Sequence, residues 1–355
     1  MEAVTMETTI GTYPETCLLT VGKAAKDELH DTFVFRGFPE LQHHHRLLAL
    51  PFSASYLLVL LGNSLLVYVI RSVERLHSPM YLLICMLCVV DVLVVTAILP
   101  NMLLGLLFDL NRISLAGCLT QMFFTHFLSS VESTLLLAMA LDRYVAICKP
   151  LRYAELMDWS ALAKLLLFTL VRSVSIMATL VGLAGSLRFC GSNIIQHCYC
   201  DHMALVSLAC GSTTSSSAAG LAVIVCFVGV DIPLIFLSYV KILSVVLRAA
   251  AGEDRWKAFH TCGTHLMVMM CFYLVGSVTF LSHNLSIPIP TGLNTLLGLL
   301  YILLPATVNP IIYGVRTKEI RSGFLTIFRL RAKKMTLVKV SPAGKEQTGQ
   351  IWSLK

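Results

Sequence analysis

Seven apolar stretches, each of about 20 residues or more, alternate along the chain with short polar segments: Leu47–Ile70, Met80–Leu103, Cys118–Ile147, Ala161–Ala184, Ser217–Leu247, Lys257–His283 and Thr291–Tyr313. About 20 apolar residues is the length a helix needs to cross the hydrocarbon core of a bilayer. None of the stretches alternates apolar and polar positions as a barrel strand does, so a bundle of helices that satisfy their own backbone in lipid is expected. The third and fifth are long enough to tilt or to protrude from the membrane.

Composition agrees with this pattern. Of 355 residues, 56% are hydrophobic and 13% charged, whereas a soluble domain has about 25% charged residues. The expected fold class is an all-α membrane protein, a seven-transmembrane helix bundle. Its organisation is an extracellular tail over 1–46, the bundle over 47–313, a short amphipathic juxtamembrane helix over 314–330 and a cytoplasmic tail over 331–355. The tail before the first stretch lacks a basic start followed by an apolar core, so no cleavable signal peptide is expected and the first stretch serves as signal anchor.

Orientation follows from Lys and Arg. Arg71 and Arg75 follow the first stretch, and Lys149 and Arg152 the third. Arg248, Arg255 and Lys257 lie between the fifth and sixth, and Arg316, Lys318 and Arg321 follow the seventh. The intervening loops hold only Arg112 and Arg188. The basic side is cytoplasmic, which places the N-terminus outside. The net charge of +7 is therefore a topology signal, and nucleic acid is not an expected partner. Cys190, Cys198, Cys200 and Cys210 fall in an outer loop, with Cys118 on the same side. Disulfides persist there, although spacing alone does not fix their pairing. There is no nucleotide-binding glycine loop and no metal-ligand cysteine spacing.

Polar residues inside apolar runs are costly and usually functional. Asp142 and Arg143 stand side by side at the inner end of the third stretch, either as a solvated helix end or as part of a switch. Asp91 and Glu132 lie deeper. Two neighbouring carboxylates share a proton or hold a cation, and an oxygen-only site suits sodium; the alternative is a neutral hydrogen-bonded knot between helices. His126, Ser129, Ser130 and Ser133 share one helical face, read either as a polar helix contact or as a ligand surface.

Several blocks resemble a known family. A cysteine heading the third stretch, "DRY" at its inner end and "NPIIY" in the seventh are similar to rhodopsin-like G-protein-coupled receptors. "LHSPMYLL", "MALDRYVAICKPLRY", "SYVKIL", "KAFHTCGTHL" and "PATVNPIIYGVRTKEIR" resemble the signature blocks of odorant receptors. "GFPELQHHH" and "HCYCDHMALVSLAC" resemble the class I, fish-like branch. Departures include His260 where the family usually has Ser, Ser207 where class I members often have Lys, and a tail without a glycosylation sequon. The one N-x-S/T match begins at Asn284, the candidate glycosylation position.

The resemblance implies a receptor in the plasma membrane of olfactory cilia that binds a small odorant and raises cAMP through a stimulatory, olfactory-type heterotrimeric G protein. It implies no enzymatic activity. It pairs Cys118 with Cys200 and Cys190 with Cys210, leaving Cys198 odd. It gathers Asn63, Asp91, Glu132 and Asn309 into one polar cluster, where sodium would sit. It assigns Asp142, Arg143, Tyr144, Tyr239, Lys257, His260 and Tyr313 to switching and G-protein coupling, with Arg143 restrained by Asp142 at rest. It assigns the odorant to His126, Ser129, Ser130, Tyr273, Gly276, Ser277, Phe280 and His283. Some class I receptors carry a basic residue after the His at the end of the sixth helix and pair it with carboxylic acids. Asn284 follows His283 here, so a neutral, semi-polar odorant is expected. A same-fold receptor for an internal metabolite is the alternative, and a transporter is the reading from a different class.

Overall fold

The structure is a computed structural model that describes residues 30–249, 252–284 and 289–327. In chain order its elements are β1 (Thr32–Phe35), α1 (His45–Ser72), α2 (Pro79–Phe108), β2 (Arg112–Ser114), α3 (Leu115–Cys148), α4 (Tyr153–Leu156), α5 (Trp159–Gly185), β3 (Arg188–Phe189), β4 (Ile194–Ile195), α6 (His202–Val206), β5 (Ala209–Cys210), α7 (Thr214–Ala249), α8 (Glu253–Asn284) and α9 (Thr291–Arg316). Residues 318–327 form a further helix.

Each expected apolar stretch lies inside one long helix. Six of these, α1, α2, α3, α5, α7 and α9, are long and apolar enough to cross a membrane; in α8 the described apolar run is Cys262–Leu274. The helices α3 and α7, at 34 and 36 residues, span about 51 to 54 Å at 1.5 Å per residue. Both therefore outrun a hydrocarbon core of about 30 Å. Helix α2 continues to Phe108, past the expected end at Leu103. The apolar run does not stop there, and the turn comes only at Asp109, whose φ of 58° places it in the left-handed region that Asp tolerates better than most residues.

Helix starts are specified locally. Ser114 accepts from the Gly117 N–H to cap α3, and Asp158 accepts from Ala161 to cap α5. Pro79 opens α2, where a missing N–H costs nothing. Proline inside a helix is different, because it frees the carbonyl four residues back. Pro310 in α9 frees the Ala306 carbonyl, and Asn63 of α1 donates to that oxygen at 2.9 Å. Gly62 makes the approach feasible, since a Cβ there would meet the Pro310 ring at 3.1 Å. Side chains such as Leu57, Leu61, Phe168, Val171, Phe236 and Leu237 face outward and exposed, as a lipid-facing rim requires. The inner core runs through Leu66, Leu83, Leu87, Leu135, Met139, Ile242 and Tyr313.

The outer tail is more structured than a polar tail implies. Strand β1 pairs antiparallel with β2 and parallel with β4, and β3 pairs with β5. Phe33 is fully buried, edge-on to Phe189 at 5.3 Å, within a cluster that includes Met122, Ile195 and Leu205. On the inner side, Ile320 of the helix at 318–327 is buried, and Gly323 packs against Val69 and Leu76. The tail beyond residue 327 lies outside the described residues. Truncating a buried Phe costs about 3 to 5 kcal/mol. Phe33→Ala is therefore expected to lower the thermal unfolding temperature of the purified receptor and its surface expression. An unchanged unfolding temperature would show that the tail segment is not part of the folded outer layer.

Candidate functional site

The lid over the bundle is built by the loop between α5 and α7. Disulfides join Cys118 to Cys200 and Cys190 to Cys210, as the family resemblance implied, and Cys198 remains a buried free thiol. The Cys200 N–H donates to Oε1 of Gln121, whose Nε2 donates to the Ala97 carbonyl. One α3 side chain thus ties the lid to α2. His197 and Tyr199 pack edge-on at 4.2 Å over Gly298 of α9, where a Cβ would stand 2.8 Å from the His197 ring. Only glycine admits that ring.

Asp201 caps α6 by accepting from the N–H groups of Met203 and Ala204. Burial alone would raise its pKa, but His197, His126, the Ala204 N–H and His202 together hold the carboxylate below its usual value. His197 is shifted downward, chiefly by burial, with Asp201 opposing.

Beneath the lid, His126 of α3 hydrogen-bonds the Met122 carbonyl within its own helix at 3.0 Å, and Ser129 lies beside Tyr301 of α9. Ser130 is used differently from the ligand contact expected of it. Its hydroxyl donates to Ser173 of α5 at 2.6 Å, which makes it a helix–helix contact. Deeper still is a group the sequence reading passed over. Arg172 of α5 pairs with Asp231 of α7 at 3.0 Å, donates to the Cys226 carbonyl at 2.7 Å and stacks on the Phe227 ring at 4.2 Å. Ser133 donates to the other Asp231 oxygen at 2.7 Å and lies 2.9 Å from the Tyr273 hydroxyl of α8. Ser133 has one proton and the carboxylate takes it, so Tyr273 must be the donor in the last bond. The chain runs Tyr273 to Ser133 to Asp231 to Arg172 and joins four membrane helices. A lone Arg in "LVRSVS" and a lone Asp in "GVDIPL" were the available signals, since each interrupts an apolar run.

The inner polar cluster contains one hydrogen bond between the expected residues and one to the backbone. Asn309 donates to Asp91 at 3.0 Å, and Asn63 bonds the Ala306 carbonyl of the same helix α9. Glu132 is buried and in electrostatic contact with Asp91. One oxygen each of Asp91, Glu132, Asn63 and Asn309 is buried without a partner.

At the cytoplasmic end, the expected Asp142–Arg143 restraint takes another form. Asp142 accepts from Tyr153 of α4 at 2.7 Å, and Arg143 Nε donates to His265 of α8 at 3.3 Å. His265 also packs on Tyr313 at 5.7 Å. Tyr239 and Tyr313 are buried with unpartnered hydroxyls, and Tyr144 lies under the Lys149 ammonium at 5.8 Å. Gly276, Ser277, Phe280, His283 and Asn284 fall on α8, as do Lys257 and His260, but their side chains lie outside the description. The remainder of the sequon lies in the undescribed segment 285–288.

Known proteins decide the family. The olfactory receptor family model matches residues 52–331. The chain belongs to the olfactory receptor family. It is 42% identical to human olfactory receptor 52K2 over 83% of this chain and 94% of the relative. It is 40% identical to human olfactory receptor 52D1, and 41% identical to human olfactory receptor 51E2, over 86% of this chain in each case and 96% and 95% of those relatives. This olfactory receptor is a multi-pass plasma-membrane protein that takes odorants and couples to a G protein, and it is not an enzyme. The transporter reading falls with the same observation.

Removing one partner of a buried ion pair costs about 3 to 5 kcal/mol, whereas replacing both by apolar residues is often near neutral. Arg172→Leu and Asp231→Leu are each expected to impair folding and surface delivery, and the double variant to recover much of it. Losses that simply add in a double-mutant cycle would refute the pairing.

The lid is also expected to respond to pH. The lowered His197 pKa means that the unfolded state binds more protons than the folded state below the ordinary imidazole value of about 6.5. Stability therefore falls as pH drops through that value. The depressed Asp201 acts in the same direction at lower pH, because the stability it contributes is lost as pH falls through its folded pKa. Protection factors over 197–206, taken relative to the intrinsic exchange rate at each pH, should fall between pH 7 and 5, and less so in His197→Gln. An equal fall in both would sink the assignment.

Proposed function

We propose that this olfactory receptor detects a neutral, semi-polar odorant such as an alcohol, aldehyde, ketone or ester, and signals through a stimulatory G protein to raise cAMP. It is placed in the class I branch by the sequence blocks quoted above. The observation that carries the ligand reading is the state of Arg172. This cation of the bundle is already paired with Asp231 and bonded to the Cys226 carbonyl. A carboxylic acid would have to break a buried pair to use it. His126, Ser129 and the Tyr273 hydroxyl offer polar contacts instead, which suits sites that fix mostly apolar ligands with few polar groups. Asn284, in place of a basic residue, points the same way.

Coupling is supported by Arg143, held against α8 by its bond to His265. Outward movement of α8 would break that bond and open the cytoplasmic face. Tyr239 and Tyr313 are buried, and their hydroxyls are free to receive the released guanidinium.

The unpartnered oxygens of Asp91, Glu132, Asn63 and Asn309 fit a hard cation, and sodium would be held there. Its charge would stabilise both carboxylates in their ionised form. Among the described residues no cluster of three His, Cys, Asp or Glu side chains is present, so amide oxygens must complete the set.

The test is cAMP accumulation in cells exposed to matched acids, aldehydes and alcohols. Aldehydes or alcohols are expected to activate, Arg143→Ala to abolish the response at equal surface expression, and His126→Ala to raise the half-maximal concentration about tenfold or more. Replacing sodium by choline should lower that concentration in wild type but not in Asp91→Asn. Acid-selective activation would overturn the ligand class, and a response confined to another second messenger would overturn the coupling.

A further inference from the structure

A cavity of about 460 Å³ lies at the outer end of the molecule between tail residues 34–38, the start of α1, the last turns of α2 and the lid at Ile194 and Cys198. It has the volume of about fifteen waters at roughly 30 Å³ each, within the range of small-ligand sites. His126, Ser129 and Tyr273 do not line it, so it is separate from the odorant site proposed above.

Its walls are of two kinds. Phe38, Met102 and Leu106 form an apolar trough, while Arg36, Asn101 and Asn111 are polar. Among the described residues, none of these three polar side chains has a hydrogen bond or an ion pair. Asn111 is engaged only through its backbone carbonyl, which accepts from the Phe35 N–H. The carboxylate at the rim, Asp109, is already answered by His45 at 3.4 Å and Arg46 at 3.8 Å. Arg36 is thus an exposed cation at the mouth of the cleft, without a counter-charge among the described residues, above the half-buried Asn101 and Asn111. A guanidinium so placed can make charge-assisted, bidentate hydrogen bonds to an oxyanion whose chain enters the cleft.

We propose that this cleft binds an anionic amphiphile. Its carboxylate or phosphate head meets the Arg36 guanidinium and the Asn101 and Asn111 amides, and its chain lies along Phe38, Met102 and Leu106. A soluble fatty acid and a phospholipid of the outer leaflet share this chemistry. Occupancy acts on the lid, because Gly37 packs so closely on Cys198 that a Cβ there would stand 2.8 Å from the Cys198 Cβ. Cys198 in turn is two residues from the bridge between Cys118 and Cys200.

The experiment is calorimetric titration of octanoate and octanol into purified full-length receptor in phosphatidylcholine nanodiscs. Octanoate is expected to bind saturably and octanol at least tenfold more weakly. Arg36→Gln should weaken octanoate at least tenfold and Arg36→Lys less, at unchanged unfolding temperature. Leu106→Trp, which fills the trough and keeps Arg36, provides an independent loss of binding should Arg36→Gln misfold. Competition by phosphatidylglycerol in the nanodisc assigns the site to lipid, and its absence assigns it to a soluble anion; both keep the site. Equal binding of octanol, octanoate binding that survives both Arg36→Gln and Leu106→Trp, or no octanoate binding in phosphatidylcholine nanodiscs overturns the proposal.

Discussion

A polar group moved from water into hydrocarbon without a partner costs several kcal/mol, and that constraint organises this receptor from the backbone outward. It makes every membrane element a helix. It sends the Asn63 amide to the carbonyl that Pro310 leaves free. It also makes the Arg172–Asp231 pair the anchor of the bundle's middle, because neither charge is tolerable there alone. Guanidinium, carboxylate, Ser133 hydroxyl and Tyr273 hydroxyl satisfy one another across four helices.

The same constraint explains how a bundle held by packing can still switch. Among the described side chains, α8 meets α3 through two polar contacts, Tyr273 with Ser133 near the odorant level and His265 with Arg143 near the cytoplasm. In the proposed switch, a ligand that competes for the outer contact would change the balance at the inner one, because both restrain the same helix. The cost of freeing Arg143 is moderated by the buried tyrosine hydroxyls waiting nearby. Asp142, bonded to Tyr153, links the same region to the short helix α4.

Much of this was legible in the residues. Hydropathy placed seven helices, with most ends near those observed, because a bilayer imposes one length and one backbone solution. Lys and Arg placement oriented them. The signature blocks pointed to the family, and the resemblance supplied both disulfides. What escaped shares a common cause. Arg172 and Asp231 lie 59 positions apart in sequence, and nothing local marks each as the other's partner. Ser130 and Ser129 are neighbours of one chemistry, yet one is consumed by Ser173 and the other faces Tyr301; a helical face is too coarse to separate them. The tail segment reads as polar, yet Phe33 is buried, because its strand partners come from two distant loops.

The sequence by itself determined the membrane fold, its orientation and its family, since these depend on composition, period and local strings. Tertiary structure alone decided which charges pair, which hydroxyls are spent on neighbouring helices and which side chains line the outer cleft. Those outcomes depend on distances between helices, and a distance in space is set by packing rather than by spacing along the chain.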